Sequence, residues 1–300
     1  MSSYKTTTNT GSLRRKSVNI ILSFILMSMA SICWPNFSLA QVLILDGPVP
    51  VAAPGRLEAP IDLTGIWVSV VTEDWAYRML TPAPGDYMSV PLNDVATEIA
   101  NGWDLEADNA AGLQCKAFGA ARIMRVPTRL QISWEDDFTL RIDTDAGSQT
   151  RLLNFSRQGH RPLLSMMLEG ATLERTWQGY SVAEWENVLI NKSRMFYRPD
   201  SETPPGGSLK VITTRMLPGY LRSNGAPYSE DAILTEFFDR FTAPTGEEWF
   251  VVTTIVDDPA YLMQPYVTTS HFRREADAAK WNPGPCETWP PRPGAQVPRW

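Results

Sequence analysis

The residues with chemistry to offer are few, and their types narrow what the chain can do. Its 300 residues include two histidines, His160 and His271. A histidine-rich metal site is therefore out of reach, and two histidines plus a carboxylate is the most that could be assembled. No phosphate-binding glycine loop, dinucleotide fingerprint, H-E-x-x-H, C-x-x-C or G-x-S-x-G occurs, so the familiar nucleotide, zinc, dithiol and serine-nucleophile signatures are missing. Acid–base chemistry and binding remain. His160 lies in the polar stretch SRQGHRP and reads as solvated. His271 alternates with Val267 and Thr269 along an expected strand. If that face turns inward, a neutral imidazole oriented by a carboxylate can serve as a base. Tyr228 and Asp145 complete the expected catalytic set. Asp143 and Asp145 share a face, as do Glu184 and Glu186; paired carboxylates with separated pKa values can divide acid and base roles. The competing expectation is ion pairing to Arg141, Arg151 or Lys210. Asp257 and Asp258, before Pro259, read as turn caps.

Rings are abundant: 11 Trp, 9 Tyr and 11 Phe. Trp75, Tyr77 and Arg78 cluster in EDWAYRM, and Trp177, Tyr180 and Trp185 in TWQGYSVAEW. The stretch PGYLRSNGAPYSED (218–231) sets Tyr220, Arg222, Tyr228 and Glu230 in a long turn between two expected strands. Loops of that length at a barrel mouth collect binding groups, and a guanidinium there suits a carboxylate or phenolate. The expected ligand-binding set is Trp75, Tyr77, Arg78, Trp134, Trp177, Tyr180, Tyr220, Arg222 and Tyr228, lining a cavity for a small hydrophobic or aromatic molecule. Ordinary core packing, with Arg222 paired to Glu230, is the competing expectation.

The elements that must position these side chains read as strands. In RLQISWEDDFTLRIDTD, Leu130, Ile132 and Trp134 alternate with Gln131, Ser133 and Glu135. Asp136–Asp137 turns the chain, and Phe138, Leu140 and Ile142 resume the period of two, as in a half-buried hairpin. DLTGIWVSVV, TRLLNF, LERTWQGYSVAEWE, SLKVITTRML, LTEFFDRF, EWFVVTTIVDD and YVTTSHFRRE add further strands, with PPGG and APTGE as turns. One helix is expected over 93–110, capped by Asn93. The fold class is mainly β: an antiparallel, lipocalin-like barrel or sandwich of about eight to ten strands with one short helix.

Residues 1–40 carry Lys5, Arg14, Arg15 and Lys16 without an acid, then an apolar run, then Ser38-Leu39-Ala40. These are the parts of a secretory signal peptide, and an uncleaved anchor is the competing reading. Cleavage before Gln41 leaves an extended lead-in (41–61), a single β domain (62–286) and a proline-rich tail (287–300). The four leader cations subtract from 27 Lys and Arg, leaving 23 against 33 acids, a net charge of −10. Such a surface repels nucleic acid and anionic membranes, and no second long apolar run offers the mature chain a membrane span. A periplasmic or secreted location follows. There Cys115 and Cys286 are expected to pair. Closing a loop of 171 residues contributes up to about 5 kcal/mol on the chain-entropy model.

Gly65-Ile66-Trp67 at the start of the first strand resembles the G-x-W opening of lipocalin-like (calycin) barrels. LTGIW, RVPTRLQISWEDDFTLRIDTD, TWQGYSVAEWE, PYSEDAILTEFFDR and VVTTIVDDPAYLMQPY are similar, in that order, to segments of a group of uncharacterised exported bacterial proteins. Relative to that group the chain carries an insertion around 187–207. The resemblance implies architecture and export, and supplies no catalytic residues or cofactor. Two function classes follow. One is an exported binding protein for a small hydrophobic or aromatic molecule. The other is a cofactor-independent acid–base enzyme, a lyase, isomerase or hydrolase, using the same cavity.

Overall fold

Apolar residues at every second position force each strand to bury one face, and closing the sheet on itself lets all strands bury theirs together. The computed structural model describes residues 54–157, 166–167, 170, 172–187 and 207–297. The leader, the lead-in to residue 53, His160 and most of the 187–207 insertion lie outside the described residues. The strands are β1 (Gly65–Val70), β2 (Arg129–Asp136), β3 (Thr139–Thr144), β4 (Thr150–Phe155), β5 (Tyr180–Asn187), β6 (Gly207–Thr214), β7 (Gly219–Tyr220), β8 (Pro227–Tyr228), β9 (Ile233–Thr242), β10 (Glu248–Asp257) and β11 (Tyr266–Glu275). Nine close a barrel in the order β1-β11-β10-β9-β6-β5-β4-β3-β2, and β7–β8 form a separate two-stranded piece. A mainly β barrel is thus the fold, in place of a sandwich.

It is not wholly antiparallel. β4 and β5 run parallel, joined by three residue pairs from Leu153↔Ser181 to Phe155↔Ala183. A parallel neighbour needs a crossover of a dozen residues or more, and the connection from Phe155 to Tyr180 is long enough. Four short helices replace the single one expected among the described residues: α1 (Trp75–Met79), α2 (Asp94–Asn101), α3 (Leu105–Ala110) and α4 (Ala120–Ile123). The expected 93–110 helix splits because Asp104 supplies a second N-cap, accepting from Glu106 N at 2.9 Å and Ala107 N at 3.0 Å. Asn93 caps α2 as anticipated, accepting from Ala96 N.

The described interior is packed with side chains. Trp67, Phe238, Phe250 and Phe272 are fully buried. Trp67 meets Phe250 edge-on at 4.9 Å between centroids, and Phe250 stacks on Phe272 at 4.7 Å. One end is shut by Trp134, Phe155 and Trp185, whose neighbouring centroids lie 5.4 and 5.5 Å apart. Trp185 Nε1 donates to the carbonyl of Gly55 in the lead-in (2.7 Å). Toward the other end the lining turns polar. Arg151 on β4 makes a two-pronged ion pair with Glu236 on β9 (2.6 and 3.1 Å), both side chains fully buried. Thr213 accepts from Arg151 Nη2 at 3.3 Å and lies 2.7 Å from Ser181 Oγ. A second apolar cluster caps this end, drawing on α2, α4, β8 and the adjacent ends of β9, β10 and β11.

Candidate functional site

The capping layer holds more arginine than carboxylate can match. Arg78 on α1 donates Nε to the Arg125 carbonyl (2.9 Å) and Nη2 to Ser69 Oγ (3.1 Å), and its Nη1 pairs with Glu73. Arg125, just past α4, pairs with Asp74 at 2.9 Å. Arg122 on α4 gives one N–H to the Ala117 carbonyl. Arg222, between β7 and β8, is 2 % exposed. It lies over the Tyr77 ring at 4.1 Å and gives Nη2 to Ser89 Oγ at 3.1 Å. Among the described residues, neither Arg122 nor Arg222 forms an ion pair. Among the described residues, buried Arg222 Nε and Nη1 find no acceptor, and the buried hydroxyls of Tyr228 and Tyr266 have no partner either. Orphaned buried donors are rare in folded proteins. Asp86 accepts from Tyr77 Oη at 3.4 Å. Burial, then the guanidiniums of Arg125, Arg222 and Arg78 outweighing a favourable effect of Tyr266, pushes Arg122 down to about 10.

Beside this layer lies a cleft of about 880 Å³, within the range of small-molecule sites. Its floor is Phe118, Val126 and Pro127, with Met79 and Leu80 at one side. Its roof is the C-terminal segment, which contributes Trp289, Pro290 and Pro291 to the lining, with Trp289 also 67 % exposed. Local chemistry holds the roof. Cys286 is disulfide-bonded to Cys115. Gly284 N donates to the Asp145 carbonyl (2.9 Å), and Ser148 Oγ to the Gly284 carbonyl (2.8 Å). Thr81 Oγ1 donates to the Trp289 carbonyl at 2.7 Å. Of the tail expected to start at 287, residues 287–293 line the cleft, and a turn follows in which Ala295 N donates to the Arg292 carbonyl (2.9 Å). Four cations (Arg78, Arg122, Arg129, Arg292) and two carboxylates (Asp145, Glu287) line the cleft. Arg129 is engaged by Glu275 at 2.8 Å and by Asp145 at 3.7 Å. Arg122 is partly exposed and borders the cleft.

The expected catalytic residues are not brought together. His271 lies on the barrel's outer face, because Phe272 and Ser270 take the inward positions. The alternation around His271 was real, but its face is the solvent side. Its Nδ1 is 3.1 Å from Thr72 Oγ1 and 3.5 Å from Glu73 Oε2. Both contacts fall on one ring nitrogen, unlike a nucleophile–base–acid relay, which uses the two nitrogens separately. Tyr228 is fully buried, and its hydroxyl fills the space that a Cβ at Gly119 or Gly219 would need. Burial raises its pKa well above the usual tyrosine value. Asp145 serves the backbone, accepting from Arg129 N (2.7 Å), Ala146 N (2.7 Å) and Thr128 Oγ1 (2.8 Å).

Of the expected ligand-binding residues, Arg78 alone borders the cleft. Tyr228 packs in the capping layer and Arg222 lies over Tyr77, while Tyr220 packs against the main core cluster, so the 218–231 turn is a folded-back hairpin and not an open rim. Tyr220 Oη donates to Asp108 Oδ2 at 2.6 Å, and burial followed by that bond raises its pKa. Glu230 pairs with Arg175 at 3.1 Å, not with Arg222. Trp75 is 63 % exposed, standing away from the cleft. Trp134 closes the opposite end, Trp177 offers its carbonyl to Ala120 N (2.9 Å), and Tyr180 packs with Met166 and Val182. The surface carboxylates pair as the competing expectation had it: Asp143 with Arg141 at 2.7 Å, Glu184 and Glu186 with Lys210 at 3.4 and 3.5 Å. Asp258 caps the turn at Ser229, accepting from its N–H and hydroxyl at 2.6 and 2.7 Å. Sequence reasoning passed over Phe118, Arg122, Arg129 and Trp289. The usable signal was two arginines inside the apolar run AFGAARIMRVP, where a charge is costly unless it serves something.

No group of three or more metal-ligating side chains occurs among the described residues, and none of their helices is long and apolar enough to cross a membrane. A closed nine-strand barrel with a capped end and a roofed cleft is the class that fold and site define. Comparison with protein-family models, curated proteins and solved structures found no match.

Proposed function

We propose that the chain is an exported binding protein for a small hydrophobic or aromatic molecule, and that the molecule sits in the cleft between the barrel cap and the C-terminal roof. The observation that carries this reading is the cleft itself: about 880 Å³, floored by Phe118, Val126 and Pro127 and roofed by Trp289, Pro290 and Pro291. Apolar walls with a few placed polar groups are what such sites require, and with the described interior packed by side chains, the cleft is the space this reading uses. The separation of His271, Tyr228 and Asp145 favours binding over acid–base catalysis. Export rests on the basic, apolar and small-residue pattern of 1–40, and on two cysteines that are joined as an oxidising compartment would leave them. Mass spectrometry of the protein from its own host should find an N-terminus at Gln41.

The binding reading is tested with N-phenyl-1-naphthylamine, a neutral apolar dye that fluoresces when desolvated. Its emission should rise to saturation with one equivalent bound. Removing residues 287–300, or introducing Trp289→Ala, should weaken it at least about tenfold, given the area an aromatic wall contributes. Absence of saturable binding, or equal binding by the truncated chain, would overturn the assignment of the cleft.

A further inference from the structure

We infer that the cleft takes an organic anion, an apolar body bearing one carboxylate or sulfonate, with Arg122 receiving the charged end. The inference rests on the cleft being the binding site and adds the chemical class of its ligand. Three observations converge on it. Arg122 borders the cleft, spends one N–H on the Ala117 carbonyl, and forms no ion pair among the described residues. The other charges facing the cleft are largely answered: Arg78 by Glu73, Arg129 by Glu275 and Asp145, and Asp145 further by Thr128 and two backbone N–H groups. Arg292 and Glu287, both on the roof, offset one another in sign. The unanswered charge is therefore positive and located at Arg122.

The surroundings deepen that positive potential. Arg222 acts on Arg122 electrostatically, is buried, and among the described residues also lacks a carboxylate, its side-chain acceptor there being Ser89 Oγ. Two non-glycine residues beside the cluster are held in the left-handed region, Asp74 at φ 50° and Ser89 at φ 62°. Each offers a side-chain oxygen to an arginine, Asp74 to Arg125 and Ser89 to Arg222. Such strain persists where the surroundings fix a functional arrangement. A guanidinium bordered by apolar walls binds a carboxylate through paired, charge-assisted hydrogen bonds that water does not compete away. A neutral ligand of the same shape would leave that cation buried without a partner, which is unfavourable. The cleft therefore discriminates by charge as well as shape.

The test compares two dyes with one apolar skeleton: 8-anilinonaphthalene-1-sulfonate, which carries the anion, and N-phenyl-1-naphthylamine, which does not. The full chain should bind the sulfonate about tenfold or more tightly, the contribution of one charge-assisted hydrogen bond. Added NaCl should erode that preference. Arg122→Gln, with its fold checked by near-UV circular dichroism, should bring the ratio of affinities close to one while leaving the neutral dye bound; Arg122→Lys should keep part of it. If Arg122→Gln fails to fold, the wild-type ratio and its salt dependence decide. A wild-type ratio at or below one, or a folded Arg122→Gln chain with its preference intact, overturns the anion site and leaves the cleft standing. If neither dye binds, the cleft reading itself fails.

Discussion

At the residue scale, the most demanding pair is Arg151 and Glu236. Both side chains are fully buried within the barrel, and they meet through two N–H···O contacts. Removing one partner strands a charge in the interior. Glu236→Gln or Arg151→Met should each cost about 3–5 kcal/mol, while Arg151→Met combined with Glu236→Leu should cost far less, because isosteric apolar replacement of a buried pair is often near neutral. Urea unfolding of the three variants checks this, and a double variant as unstable as either single one would contradict it. Glu73 gives a pH signature. Burial alone would raise its carboxyl, but the hydrogen bond from Thr72 and the charge of Arg78 hold it below its ordinary value of 4.5. A depressed folded value means that its contribution is complete above about pH 4.5 and is lost as pH falls through the folded value. Glu73→Gln should therefore remove stability at pH 7 but little at pH 3, as read by thermal melts at the two pH values.

At the element scale, Gly119 and the roof carry the site. Gly119 precedes α4 and brings its backbone against Tyr228: a Cβ there would lie 2.3 Å from the Tyr228 hydroxyl and 3.1 Å from the Trp177 carbonyl. Its φ of −69° is open to any residue, so the constraint is space and not backbone freedom. Gly119→Ala should destabilise by about 1–3 kcal/mol through overpacking and displace Arg122, with a matching loss of affinity for the sulfonate dye. The combined variant Gly119→Ala, Tyr228→Phe should recover part of that loss, since the hydroxyl is the nearest obstacle. The Cys115–Cys286 bridge fastens the roof to the segment preceding α4. Cys115→Ser with Cys286→Ser should lower stability by about 2–5 kcal/mol and weaken the neutral dye, because the roof's hydrogen bonds must then hold the segment alone. Retained affinity in that variant would show that Gly284, Ser148, Thr81 and Trp289 suffice.

At the scale of the whole molecule, the barrel has one thin seam. β9, β10 and β11 pair over eight to ten residues each, whereas β4 and β5 share three. Native-state hydrogen exchange should find amides of β10 the slowest to exchange and those of the β4–β5 seam the fastest among barrel strands, since local opening follows the fewest contacts. Much of this architecture was readable from the chain. The alternation of Leu130, Ile132 and Trp134 with Gln131, Ser133 and Glu135 appears as β2, and Leu140 and Ile142 are buried on β3, because a period of two commits a strand's faces locally; the turn falls at Asp137–Phe138, one residue later than expected, after a register shift between Trp134 and Asp136. His271 marks the limit. Its alternation was equally regular, but which of two faces meets the core depends on what the neighbouring strands present.

The order of residues alone determined a β-rich chain, most strand positions and a plausible pairing of two distant cysteines, since periodicity, turn chemistry and cysteine count are local or countable properties. Only the tertiary structure decided that the sheet closes without a described lumen, that the 218–231 turn folds inward, and that Arg122, Trp289 and Phe118 border one cleft. Those outcomes join residues more than a hundred positions apart, and the physical term that selects among such meetings is packing against neighbours, which no short stretch of sequence contains.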